Sequence, residues 1–332
     1  MSSPHRPRVA LVGLGPIGIE VGKALAGRDS MTLLGAADPA PDKAGRPLSD
    51  LLSGAFPATT IRPSAAALYA ESAGSRGRAD VVLLCTGSRL HAVLPQIEEA
   101  LRAGFHVIST CEELAYPELG HLPMARQIDR LAKDHGVSVL GTGVNPGLVM
   151  DRLVLAVASA CVRVESVKVT RVVDAAKRRG PLRAKVGADL TVEEFQAGVA
   201  ARRLGHRGLP ESCALIGLGL GMPLDDIRST IEPVVADAAH PRAGIEPGRV
   251  AGLRQSAVGF HAGREVARLD LEMSVAAPDP HDRIVIEGDP PLDVLVRGGT
   301  HGDRGTVGTV LSAIPAVIAA APGLKTVLDI TL

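Results

Sequence analysis

Two adjacent carboxylates, Glu112 and Glu113, stand in the stretch CEELAYPELG, directly after the apolar run FHVIST. Neighbouring carboxylates repel, and burying either one costs free energy unless a partner or a reaction uses it. A carboxylate at such a place can stabilise a developing positive charge and exchange a proton with an amine or a water. Successive strand side chains point to opposite faces, so only one of the two should face a cleft. The structural alternative is that both acids cap a helix starting near Pro117, where negative charge meets the positive end of the helix dipole.

A second group of residues has the spacing of a phosphate cradle. Gly13, Gly15 and Gly18, with Pro16 and Ile17 between the last two, read GxGxxG. RVALVG before them is a short β-branched strand, and GLGPIGIEVGKALAG has helical spacing. MTLLGAAD is a second strand ending in Asp38, 20 residues beyond Gly18. The first glycine allows a tight turn, the second lets backbone approach a pyrophosphate, and the third lets helix and strand pack closely. The helix N-terminus offers unpaired N–H groups to the phosphates. An acid at the position of Asp38 binds ribose hydroxyls and repels a 2′-phosphate, which favours NAD over NADP. Lys43 and Arg46 follow closely and could soften that preference. The expected cofactor is therefore NAD(P)(H), with NAD slightly preferred.

Other motifs fall at the ends of apolar runs. Thr86, Gly87 and Ser88 follow DVVLLC, and GTGVNPG carries Asn145 and Pro146. Asn145 would lie beside a nicotinamide; the alternative for this Gly/Pro stretch is a hinge between domains, and both can hold. RVVDAAKRRG carries Asp174, Lys177, Arg178 and Arg179. This cluster could bind a substrate carboxylate, although a solvated loop of charges is the commoner meaning of such a run. GGTHGDRGT offers His301 and Asp303, and either His301 or Thr306 could reach a cleft. No metal-ligand spacing is present among the His, Cys, Asp and Glu residues, so no metal is expected.

Strands alternating with helices must position these groups. DVVLLCT, FHVIST and VSVLG are buried strands, and GSRLHAVLPQIEEALRAG and MARQIDRLAKDHG are helices between them. That order predicts an α/β fold, a doubly wound parallel Rossmann sheet whose ligands bind beyond the carboxyl ends of the strands. After residue 150 the pattern changes. VESVKVTRVVDA, EVARLDLEMSVAA and DRIVIEG alternate apolar and polar residues like half-buried strands. TVEEFQAGVAARRLG is a helix with a capping box at Thr191 and Glu194, and CALIGLGLGM begins another. The expectation is an α+β substrate-binding and dimerisation domain over 148–305 with a mixed or antiparallel sheet. Residues 1–147 form the dinucleotide-binding domain. The apolar helix TVGTVLSAIPAVIAAAPGLKTVLD, expected to break near Pro315, packs back on it with 306–332.

Composition excludes several other classes. The chain has 332 residues, enough for about two domains. Lys plus Arg equals Asp plus Glu at 36 each, which argues against bulk affinity for nucleic acid or an anionic membrane surface. With no Trp, two Tyr and four Phe, few rings exist on which bases could stack. No stretch reads as a membrane span. The four cysteines are far apart with no CxxC, so neither a disulfide framework nor a zinc site is expected. Cys85 and Cys111 read as buried thiols. A reduced, cytoplasmic setting follows.

The order VGLGPIG, TGS, STCEELAYP, GTGVNPGLVMD, VVDAAKRRGPL, GDPPLDV, GGTHGDRGT and APGLKTVLD resembles the 2,4-diaminopentanoate dehydrogenase family, which includes the native amine dehydrogenases. The likeness covers nearly the whole chain, and its cofactor domain is distantly similar to dihydrodipicolinate reductase. The resemblance implies NAD(P)-dependent oxidative deamination of an amine, reversible as reductive amination of a ketone or aldehyde with ammonia. It also implies a homodimer and a catalytic glutamate at the end of the strand after HVIST. The sugar-type oxidoreductases of this superfamily carry Glu-Lys-Pro there, with lysine as acid/base. Aligning that motif sets Glu113 on the lysine and Glu112 near the nicotinamide ribose, which favours Glu113 without eliminating Glu112. The His-His pair and the Lys-x-Asp-x-Pro-Ser-Gly motif of true dihydrodipicolinate reductases are absent. Two other functions stay open at this point: an imine or carbonyl reductase of the dihydrodipicolinate reductase type, and a non-catalytic NAD-binding protein.

Overall fold

A computed structural model describes residues 6–52, 59–74, 80–177, 184–237 and 244–330. In chain order the elements are β1 (Arg8–Val12), α1 (Pro16–Ala26), β2 (Thr32–Ala37), α2 (Ala65–Gly74), β3 (Val81–Leu84) and α3 (Leu90–Arg102). Then come β4 (His106–Ser109), α4 (Leu122–Asp134), β5 (Ser138–Gly141), α5 (Arg152–Ala158), β6 (Arg163–Asp174) and α6 (Val192–Ala200). The rest are α7 (Leu209–Gly219), β7 (Asp226–Val235), β8 (Val250–His261), β9 (Arg264–Ser274), β10 (His281–Asp289), β11 (Leu292–Arg297), α8 (Gly302–Ala319) and β12 (Gly323–Lys325). Two compact units result: Met1–Leu148 with His301–Leu332, and Val149–Thr300.

The first unit is built on a parallel sheet in the order β12-β5-β4-β3-β1-β2. Its strands read as continuous apolar runs because both faces are covered. Val9, Leu11, Val81, Leu83, Ile108 and Leu140 pack on one side with Val21 of α1 and Val310, Leu311 and Ile314 of α8. Ala10, Val12, Val82, Leu84, Val107 and Val139 face Val93 and Ile97 of α3 and Ile128 of α4 on the other. Fully burying each Val or Leu is worth about 1.5–3 kcal/mol, so this two-sided sandwich dominates the unit's stability. The register pairs Val12 with both Ala37 and Leu84, Leu84 with Ser109, and Ser109 with Gly141. The carboxyl ends of five strands therefore finish in one row.

Helix α8 corrects one expectation. It runs unbroken from Gly302 to Ala319 with Pro315 inside it. A mid-helix proline forfeits one N–H bond and crowds the preceding turn. Here Ala313, Ile314 and Val317 are fully buried on the sheet, and that packing holds the helix through the proline. The helix starts at residue 302 rather than 306, and β12 adds a sixth strand beside β5.

The second unit holds a sheet in the order β11-β10-β6-β9-β8-β7, antiparallel except for β6 against β9. Helix α6 has its capping box intact: Thr191 Oγ1 accepts from Glu194 N–H, and Glu194 accepts from Thr191 N–H. Such a cap is worth about 1 kcal/mol. Helix α7 begins at Leu209, four residues before the apolar run CALIGLGLGM. Asp151, fully buried, caps α5 through Arg152 N–H and accepts from Ser212 Oγ on α7 at 2.7 Å. Strands β7, β8 and β11 give no clear alternation in the sequence. Pro233 in β7 is tolerated because β7 is an edge strand, where a missing N–H leaves no ladder bond unmade.

Candidate active site

The sheet edge at the carboxyl ends of β1 to β5 brings the chemistry-bearing motifs of the first unit together. Gly13 has φ +91° and a Cβ there would stand 2.7 Å from Thr86 Cγ2 and 2.8 Å from the Cys85 carbonyl oxygen. The Gly-rich turn thus lies directly on the TGS turn. A Cβ on Gly18 would stand 1.8 Å from the Gly13 oxygen, so α1 can start this close to its own turn only as glycine. Gly15, the N-cap of α1, has no side-chain cap, Pro16 follows it, and nothing lies within 4 Å of where its Cβ would be. Uncapped helix N–H groups beside open space fit a pyrophosphate. The residues present therefore match the dinucleotide that the motif predicts.

Asp38 lies at the end of β2 and is 6% exposed. Its Oδ2 accepts from Leu14 N–H at 2.7 Å and from Lys43 Nζ at 3.1 Å, and Oδ1 accepts from Ala40 N–H at 2.9 Å. Burial alone would raise its pKa, but the N–H groups of Ala40 and Leu14, together with Lys43, pull it below the usual carboxylate value. Asp38 therefore adds stability at neutral pH, which is lost as pH falls through the lowered value. Arg46 turns elsewhere, toward the Asp42 carbonyl and Asp50.

Of the glutamate pair, Glu113 has well-defined anchors. Its Oε2 accepts from Leu90 N–H at 2.7 Å and stands 3.4 Å from His121 Nε2. Its own N–H donates to the Ser88 carbonyl at 3.4 Å. Leu90 opens α3, whose N-cap Arg89 supplies no capping side chain, and His121 is the N-cap of α4. Glu113 thus bridges the N-termini of two helices. The expected cap near Pro117 is not what forms, because residues 117–119 make only a short 3-10 turn. Glu112 and Glu113 share a preceding 3-10 turn, Glu112–Leu114, instead of extending β4. Strand alternation consequently does not decide which one faces the site.

The GTGVNPG stretch folds back on itself. The Asn145–Pro146 peptide is cis, and Gly147 at φ +126° has Gly143 N 2.4 Å from its would-be Cβ. Asn145 is 8% exposed. Thr306, on α8, accepts from Val144 N–H at 3.2 Å, so it holds this loop. His301 caps α8 by accepting from Arg304 N–H, and Asp303 sits in the same first turn. Asp174 accepts from Ala176 and Ala276 N–H and pins the ends of β6 and β9. Thr86 Oγ1 donates to Gln96. Arg178 and Arg179 lie outside the described residues, as does the side chain of Lys177. Cys111 is buried and Cys85 partly so, and burial pushes both thiols up to about 12, far from a nucleophilic range.

One residue beside Glu113 and a buried ion pair of the second unit, Arg171 with Asp282, escaped the sequence reading. His121 carries no motif. Arg171 and Asp282 had a usable signal, because each stands at an inward, otherwise apolar position of its strand.

Comparison with known proteins agrees with this architecture. The family profile described as the 2,4-diaminopentanoate dehydrogenase C-terminal domain matches residues 148–332. The 2,4-diaminopentanoate dehydrogenase of Acetoanaerobium sticklandii is 36% identical over 261 residues, covering 76% of this chain and 74% of that one. The amine dehydrogenase structure from Mycobacterium smegmatis superposes with a TM-score of 0.85 at 22% identity, over 99% of this chain and 97% of that one. Dihydrodipicolinate reductase from Paenisporosarcina sp. TG-14 shares the fold more loosely, with a TM-score of 0.52 at 15% identity over 98% and 99% of the two chains. Sequence and fold together place the chain in the 2,4-diaminopentanoate dehydrogenase family, NAD(P)-dependent oxidoreductases acting on CH–NH2 donors.

Proposed function

We propose that this enzyme oxidatively deaminates an amino acid carrying a second amine, of the 2,4-diaminopentanoate type, and runs in reverse as a reductive aminase. The observation that carries the chemistry is Glu113, a carboxylate fixed at the strand-end row by Leu90 N–H and His121. When bound, the nicotinamide accepts hydride from the carbon that bears the amine. Loss of hydride leaves an iminium cation, and Glu113 provides the negative charge that stabilises it and the transition state before it. Its fixed position means little reorganisation is needed as charge develops. The carboxylate first takes a proton from the substrate ammonium and passes it to solvent, and after hydride loss it takes a proton from the attacking water and returns it to the carbinolamine nitrogen, so that ammonia and a carbonyl compound leave. Asn145 and Pro146, in the loop that Thr306 braces, would flank the nicotinamide. Gly13 to Gly18 and Thr86 to Ser88 would carry the pyrophosphate and its neighbouring ribose.

Ketone-dependent NADH oxidation that requires ammonium tests this reading. Equal rates without ammonium would indicate a carbonyl reductase instead, and cofactor binding without turnover of any ketone or amine would indicate a non-catalytic binder.

The slight NAD preference is supported by the Asp38 carboxylate at the end of β2, while Lys43 on the same carboxylate tempers it. Lys43→Met should lower kcat/KM with NADP more than with NAD, by roughly tenfold for the loss of one charge-assisted contact. Parallel steady-state kinetics with the two cofactors check it, and an unchanged ratio removes Lys43 from cofactor choice. A homodimer through the outer face of the second sheet is the expected assembly, and that face leaves Leu295 45% exposed. Arg254, Lys168, Arg283 and Asp293 stand 50–60% exposed there beside the exposed Leu295. Light scattering after size exclusion measures the state directly.

A further inference from the structure

One oxygen of the Glu113 carboxylate has two partners that differ in kind. Oε2 accepts from Leu90 N–H at 2.7 Å and stands 3.4 Å from His121 Nε2. All three residues belong to the first unit. A backbone N–H keeps its proton, so Leu90 only orients the carboxylate. An imidazole is the side chain that ordinarily gains and loses a proton between about pH 5 and pH 8, which makes it a proton shuttle.

The backbone fixes where the His121 ring stands. His121 N–H donates to the Pro117 carbonyl at 2.7 Å, and the His121 carbonyl accepts from Ala125 N–H at 3.0 Å in the first turn of α4. His121 occupies the N-cap, where Ser, Thr, Asp or Asn would bond the first helix N–H groups. Its ring makes no such cap and stands at Glu113 instead. Exposure rises outward along the pair, from 13% for the Glu113 side chain to 31% for that of His121. The carboxylate is sheltered, and the ring beside it reaches water.

The other titratable groups around the pair are poorer carriers. Cys111, which opens the same 3-10 turn, has its thiol pushed up to about 12 by burial and then by Glu113 and Glu112. Burial, then Glu118, raises the Tyr116 phenol. Glu118 is itself raised by burial and by Asp329 and Asp129, so it faces the acids of α4 and the C-terminal segment. On α3, Arg89 is a permanent cation at the N-cap, His91 points to solvent, and Glu98 is held by Arg102 and Gln127. Glu112 shares the turn with Glu113.

We infer that His121 is the positioning and proton-relay residue of Glu113. The inference rests on the reading of Glu113 as the group that accepts the substrate's proton. Glu113 becomes a neutral acid on taking that proton, and its O–H passes it to His121 Nε2. The imidazolium so formed loses a proton to the water that reaches the ring, leaving a carboxylate and a neutral imidazole. Only protons move in this step. In the amination direction the same path delivers a proton to Glu113.

His121→Asn tests it. Asparagine is favoured at helix N-caps, so α4 should start as before, while proton exchange at this position is lost. Oxidation of 2,4-diaminopentanoate should slow in kcat by roughly tenfold, less than the roughly hundredfold to ten-thousandfold worth of a general acid–base group itself, because water still reaches Glu113 slowly. NADH affinity and Tm should stay at their parent values, and His121→Ser is a second N-capping variant should Tm fall. Free imidazole in the buffer should restore most of the lost rate in His121→Asn and leave Glu113→Gln unchanged, which a lost packing contact would not do. The double variant with Glu113→Gln should be no slower than Glu113→Gln alone, since His121 works only through Glu113. A parent rate in His121→Asn, a loss that imidazole does not restore, or a loss that adds in full to that of Glu113→Gln overturns the relay. If Glu113→Gln keeps the parent rate, the Glu113 reading fails and takes the relay with it. If Glu113→Gln is impaired and His121→Asn is not, the relay alone fails. If the wild type instead reduces 4-oxopentanoate with NADH without ammonium, and His121→Asn slows that reaction in an imidazole-restored way, the relay stands and the deamination reading fails.

Discussion

Glu113→Gln should lower kcat by roughly a hundredfold to a thousandfold while cofactor affinity stays unchanged, the scale seen when one preorganised charge-stabilising group is removed. The substitution is nearly isosteric. A glutamine oxygen can still accept from Leu90 N–H, so the start of α3 stays capped and the Ser88 backbone contact is untouched. What disappears is the negative charge and the ability to take a proton, the two properties that iminium formation needs. Single-turnover hydride transfer and NADH fluorescence titration separate the two readouts. Glu112→Gln is the necessary companion, since both residues lie in the same 3-10 turn. A full rate in Glu113→Gln with loss in Glu112→Gln would transfer the role to Glu112 and leave Glu113 as the residue that holds α3 and α4.

The second large effect lies in the Gly-rich turn, where two glycines should behave differently. Gly18→Ala sets a Cβ 1.8 Å from the Gly13 carbonyl oxygen, which is backbone and cannot swing aside. Helix α1 and the turn must separate, and overpacking of this kind costs typically 1–3 kcal/mol and occasionally more. Both Tm and NADH affinity should fall. Gly15→Ala meets no protein atom within 4 Å. It should leave Tm near that of the parent, yet weaken NADH binding, because the new methyl group occupies the space the pyrophosphate approaches. Thermal melts with and without NADH distinguish the cases. A Gly15→Ala variant that binds NADH as well as the parent would remove the pyrophosphate from that end of α1.

The sequence by itself determined the first unit closely. Strand, glycine turn, helix, strand and acid follow one another within about 30 residues, and each is a local signal. Turn chemistry, helical spacing and buried apolar runs do not depend on distant residues, so Gly13, Gly15, Gly18 and Asp38 could be read in order. The capping box of Thr191 and Glu194 is equally local. The charge at Glu112 and Glu113 was legible, but its direction was not. Alternation of side chains would have chosen between them on a strand, and the chain leaves β4 at Ser109 and enters a 3-10 turn before reaching either.

Tertiary structure alone decided the rest. Helix α8 runs through Pro315 because the sheet beneath it supplies packing that outweighs one lost hydrogen bond, which no local rule contains. Glu113 meets Leu90 and His121, residues 23 positions before it and 8 after it, because parallel strands deliver both helix starts to the same edge. Thr306 reaches Val144 across 162 positions of chain for the same reason. In the second unit, Arg171 meets Asp282 and Gln255 meets the His206 backbone, two separate contacts that exist only once strand order and register are set. Register is a long-range property fixed by packing of whole faces. The sequence therefore displayed the groups that do chemistry, and the fold determined which of them meet.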